Sequence, residues 1–139
     1  MAELEATCAR MSAISMTSIE RRRLGALHGR MGAMVERGEE AAYIEANVAF
    51  HTAIYAGAHN AIITEMATGL RRRLMPFRRA QFRMPGRLAL SHAEHHEVVT
   101  ALSRGDSAAA HTAMLHHVSL IEDAFDELST SAARRGHRA

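Results

Sequence analysis

Apolar residues recur at intervals of three and four along almost the whole chain, and only two prolines occur in 139 residues. The period is that of a helix turning one face to a core, and proline is the residue that most strongly breaks helices. No stretch shows the alternation that a half-buried strand requires, and no internal repeat is present. The pattern predicts an all-α chain of about six helices.

Capping chemistry marks where those helices begin and end. A first helix is expected from about Ala2 to Met16, with Leu4, Cys8 and Met11 inward. Thr17, followed three residues later by Glu20, forms a capping box for a second helix that turns Leu24, Leu27, Met31 and Met34 inward and stops near Gly38. Glu39 and Glu40 suit the positive end of a third helix, which carries Tyr43, Asn47, Phe50, His51 and Ile54. Asn60 caps a fourth, with a stripe of Ile63, Met66, Leu70, Leu74 and Phe77 that Pro76 is expected to kink or interrupt. A break at Met84–Arg87 precedes a fifth helix bearing Leu88, His92, His95, Val99 and Leu102. Gly105 ends it, and Asp106 caps a sixth with Ala110, Met114, His117, Ile121, Ala124 and Leu128. The domain is read as residues 1–128, and residues 129–139, where the stripe is lost, as a frayed or disordered tail.

Composition narrows the class. Hydrophobic residues make up 47% and charged residues 23%, the balance of a soluble globular protein. One cysteine, Cys8, cannot close an internal disulfide; it reads as a small buried hydrophobe in a cytoplasmic protein. Neither a signal peptide nor an apolar run of membrane-spanning length is found. All 17 basic residues are Arg, and no acid interrupts the segment from Met66 to Ala93.

Ten histidines are the anomaly of this composition. Asn47 and His51 lie one helical turn apart on a face that should be apolar. His95 stands ten residues before Gly105 and His117 twelve after it. With about 1.5 Å of rise per residue, both reach the same height above the turn and face each other in an antiparallel pair. Three imidazoles and an amide oxygen converging in a bundle form a plausible site for a divalent metal, Zn first, with Ni, Co or Mn as alternatives. The bundle is therefore expected to be antiparallel, with a central metal and ligand cavity. A histidine on an apolar stripe can equally be a hydrogen-bonded core residue, and spacing alone leaves that alternative open. His92 shares the inner seam and could line the cavity; His96, His111 and His116 fall off the stripes, and His28, His59 and His137 read as surface or loop positions.

Two stretches carry a resemblance. "NVAFHTAIYAGAHN" places an amide four residues before a His within "FH" and ends on Asn, and "EHHEVVTALSRGDSAAAHTAMLHHV" follows the pattern EHxxIxxAIxxGDxxxAxxxMxxHL. Together they resemble the FCD domain, the C-terminal effector-binding domain of FadR-type GntR transcription regulators, over about residues 3–128. The resemblance implies metal ligands at Asn47, His51, His95 and His117, a small carboxylic acid as effector, and a homodimer. The family's first ligand is often Asp; the neutral Asn47 leaves the dication uncompensated and favours an anionic effector. The winged helix-turn-helix that would contact DNA in such regulators is absent from this sequence, so DNA binding is not expected of the chain itself.

The Arg block has three readings: a solvated face, recognition of an anion, or phosphate contact along nucleic acid. Arg71 and Arg78 flank the fourth helix's stripe and are the candidates, with His92, for holding the effector carboxylate through paired hydrogen bonds. No aromatic platform accompanies the block to support the nucleic-acid reading. Two rivals to the sensor remain: a metalloenzyme activating water, for which His92 or Glu94 would be the base, and an interaction bundle without metal. The sensor, not an enzyme, is the expectation.

Overall fold

The computed structural model describes the backbone of residues 1–136, and the side chains of residues 1–120 and Asp123. Six α-helices follow in order: α1 (Ala2–Ser15), α2 (Ser18–Glu36), α3 (Glu40–Gly57), α4 (Ala61–Ala80), α5 (Arg87–Arg104) and α6 (Ser107–Gly136), with a 3-10 turn at Gln81–Arg83. Among the described residues there is no strand, and no helix is long and apolar enough to cross a membrane.

The expected signals close the helices. The Thr17 side chain accepts from the Glu20 backbone while Glu20 reaches back to the Thr17 N–H at 2.7 Å. Asn60 accepts from the Ile63 N–H, and Asp106 from that of Ala109. Gly105, at φ +68°, ends α5 in a left-handed conformation that costs glycine little. α4 runs without interruption through Pro76, which lies on the exposed side; there the Arg72 carbonyl that loses its donor can turn to water. α6 continues as helix past Leu128 to Gly136. The side chains of Ile121, Ala124 and Leu128 lie outside those described.

α1 packs against α3, α4, α5 and α6, while α2 lies across α3 and α5. The face that α1 buries is not the expected Leu4–Cys8–Met11 stripe. It is Ala2, Glu5, Ala6, Ala9, Ser12 and Ala13, with Cys8 beside them. Small side chains let neighbouring axes approach closely, and short polar ties follow: Ser12 donates to the Ile54 carbonyl and Ser15 to that of Gly57. Arg21 clasps the carbonyls of Ala13 and Leu102, joining α1, α2 and α5.

α4 also departs from expectation. Its buried face is Ala67, Arg71 and Arg78, while Met66 is 57% and Phe77 50% exposed. Of the expected stripe, Ile63, Leu70 and Leu74 are half-buried, and the two arginines take the most buried positions.

Candidate metal centre

Phe50, His51, Ile54 and Tyr55 are buried on α3, as the period of that helix requires, and they carry His51 into the bundle beside α1. α5 and α6, joined by the turn at Gly105, bring His95 and His117 to the same height. Their Nε2 atoms stand 3.2 Å apart. All three imidazoles are at most 1% exposed, and one ligating atom from each lies within 4.8 Å of the others.

What orients the rings is a pair of buried carboxylates. Glu5 of α1 accepts from His51 Nδ1 at 2.6 Å, and Glu94 of α5 accepts from His117 Nδ1 at 2.6 Å. A carboxylate only accepts, so Nδ1 carries the proton in both rings and Nε2 keeps the lone pair, which in His117 faces His95 Nε2. Among the described residues His51 Nε2 has no hydrogen-bond partner. Burial is the largest cause that holds His51, His95 and His117 below the ordinary imidazole range; the charge of Arg71 adds to it at His51, and the neighbouring imidazoles His117 and His51 add to it at His95. Neutral imidazole is the form that binds metals.

Each carboxylate is itself held by arginine. Burial would raise the Glu5 carboxyl, but His51, Arg78 and Arg71 outweigh it and leave it well below the carboxylate range. Arg78 Nη2 donates to Glu5 Oε1 at 2.5 Å, and Arg71 Nη1 lies 3.4 Å from both Glu5 Oε2 and the Tyr55 hydroxyl. Glu94 takes two parallel hydrogen bonds from Arg87, 3.0 Å each. Burial pushes it up as well, yet His117 and Arg87 bring it below its ordinary value.

Asn47 lies one turn before His51 on the same face of α3, and among the described residues its buried Oδ1 has no partner. Arg71 is 3% exposed, and among the described residues its Nε and Nη2 also lack partners. Nε–H and Nη2–H form the side-on edge of the guanidinium, the fork that fits a carboxylate. Arg78 is spent on Glu5. His92 stands elsewhere: its ring stacks on that of His28, centroids 4.1 Å apart, and each Nε2 faces the other residue's backbone carbonyl. His28, expected at the surface, is buried in this clasp between α2 and α5.

Donor set and surroundings thus fit a divalent cation: three neutral imidazoles, two with lone pairs fixed by carboxylates, and an orphaned amide oxygen one turn away. Sequence reasoning missed Glu5, Tyr55 and Arg87, and saw Glu94 only as a possible base. An acid in an alanine-rich helix was the available signal for Glu5. Had the alanines been read as the buried face, Glu5 would have fallen on it.

The family model described as "FCD domain" matches residues 1–120. None of the curated proteins matches the chain in sequence. Among solved structures, E. coli McbR/YncC superposes with a TM-score of 0.75 at 21% identity, covering 89% of this chain and 61% of that one. At that identity the likeness concerns the fold, and the chain spans about three-fifths of that protein's length.

Proposed function

The chain belongs to the FCD domain family, and from that premise we propose that it is the effector-binding domain of a GntR/FadR-type transcription regulator, sensing a small organic acid at a divalent metal. The observation that carries the reading is the pair of carboxylate–histidine contacts, which aim His51 and His117 Nε2 toward one point beside His95. Histidines kept only as core polar groups need no such buried carboxylates behind them, each supported by arginine.

In this reading His51, His95 and His117 hold the metal and Asn47 adds its amide oxygen. Zinc suits the nitrogen-rich set best, with Ni, Co or Mn as alternatives. The bound ion supplies a Lewis-acidic position for an effector oxygen. Because all four ligands are neutral, its charge remains to attract an anion, and the Nε–Nη2 edge of Arg71, buried without a partner among the described residues, would take a carboxylate. Arg78 acts indirectly, by neutralising Glu5. His92, held against His28, is assigned to helix packing and drops out of the ligand set.

Hydrolysis is less well supported. A hydrolase needs a base free to take a proton from water, and both buried carboxylates are already engaged by arginine and histidine. As in other regulators of this kind, the domain would work as a cytoplasmic homodimer and reach DNA through a separate winged-helix domain.

Elemental analysis of protein dialysed against metal-free buffer tests the site. Near-stoichiometric Zn, Ni, Co or Mn is expected in the wild type and none in His95→Ala/His117→Ala. A carboxylic-acid panel read by thermal shift should then give a hit that needs both the metal and Arg71. Absence of metal in the wild type, with none taken up on addition, would sink the sensor.

A further inference from the structure

α4 turns Ala67 and the half-buried Ile63, Leu70 and Leu74 toward the bundle, yet carries a second set of apolar residues on its outer side. Ile62 is 74% and Met66 57% exposed. With Gly69 and Arg73 they follow a 4-3-4 spacing, the seam by which one helix packs along another. The inward face also carries Arg71 and Arg78, which serve the proposed site. Gly69 sharpens the point. A glycine in a helix interior costs stability relative to alanine, and among the described residues nothing lies within 4 Å of where a Cβ would stand. The fold does not need this glycine, and the groove that runs past it, of about 860 Å³, opens outward between Leu4 of α1 and the Arg72–Arg73 pair.

The geometry points to a second copy of this chain as the occupant, with α4 packed antiparallel on α4 about a two-fold axis at Gly69. The argument is charge and symmetry. In that register residues equally spaced on either side of Gly69 meet across the axis. Glu65 therefore meets the other copy's Arg73, twice. Ile62 meets Pro76, and Met66 lies under the stem of Arg72, apolar on apolar. Among the described residues Glu65, Arg72 and Arg73 make no ion pair within the chain. A parallel pairing would instead set Arg72 and Arg73 against themselves. With no side chain at residue 69, the two backbones can approach closely at the crossing.

This inference names the surface of the homodimer proposed above and rests on that reading. One helix pair is a small interface by the standards of specific complexes, so association is measured across concentration. Sedimentation equilibrium of the wild type should give a mass twice that of the chain. Met66→Glu should give the monomer. Glu65→Arg and Arg73→Glu should each weaken association at least tenfold, and the double reversal should recover most of it. All three positions of the test are exposed, and circular dichroism with zinc content, measured in each variant, shows that fold and metal site persist. A wild-type dimer that Met66→Glu leaves intact overturns the α4 surface while the homodimer stands. Single reversals without effect, or a double reversal no better than either, overturn the antiparallel register. A wild type monomeric at every concentration overturns dimer and surface together, and its zinc content then reports on the sensor reading separately.

Discussion

A carboxylate buried as completely as Glu5 is costly unless its charge is matched. Here it is matched by Arg71, Arg78 and the His51 N–H, so that one acid on α1 joins the candidate ligand set to the candidate effector-binding arginine. Glu94 repeats the arrangement from α5, between Arg87 and His117. A carboxylate that accepts from Nδ1 raises the basicity of Nε2 and fixes the ring, and loss of such a partner lowers metal affinity by about 10–100-fold. Glu94→Gln keeps an acceptor of the same shape but removes the charge. Zinc affinity, measured by competition with a chromophoric chelator, should fall within that range while circular dichroism is unchanged. Unaltered affinity would mean that His117 does not ligate, or that Glu94 does not orient it.

Whole helices show which faces a hydropathy pattern can and cannot find. The α3 stripe was readable because it is built of Tyr43, Phe50 and Ile54, large apolar groups with the two polar candidates set among them. The facing of His95 and His117 was readable because a glycine-capped turn sets the register of two helices from residue counts alone. α1 was misread because its buried face is mostly alanine, which contributes little hydropathy but permits close packing. α4 was read only in part, because its most buried positions carry arginines whose partners, Glu5 and Tyr55, lie on other helices. That the alanine face is a packing surface can be checked directly. Ala9 is fully buried on α1, so Ala9→Leu adds apolar surface where there is no room. It should destabilise by about 1–3 kcal/mol in urea denaturation, the usual cost of overpacking a core. Leu4→Ala, on the half-buried flank, should cost less. Should Ala9→Leu stabilise the chain, the close approach of α1 to its neighbours is wrong.

The buried imidazoles couple the stability of the entire bundle to pH, and the sign follows from their direction of shift. His51, His95 and His117 sit below the ordinary value of 6.5 in the fold because burial disfavours the charged ring. The unfolded chain therefore binds more protons than the folded one as pH falls through about 6.5, and stability is lost in that direction. It is fully present above the unfolded value. Glu5 has the same sign in a lower window, below its ordinary value of 4.5. Metal adds a term that points the same way, because protons and the cation compete for the same lone pairs. A ligand at a thousand times its Kd stabilises the state that binds it by about 4 kcal/mol. Thermal melts of metal-free protein should accordingly show Tm falling between pH 7.5 and 5.5. Added zinc should raise Tm markedly at pH 7.5 and much less at pH 5.5. In His95→Ala/His117→Ala the zinc effect should vanish and the pH dependence should flatten in part, since two of the four rings that burial holds low are gone and His28 and His51 remain. A wild-type Tm that stays level or rises on acidification would show that these rings are charged in the fold, and a cluster of charged imidazoles could not be the centre on which the sensor depends.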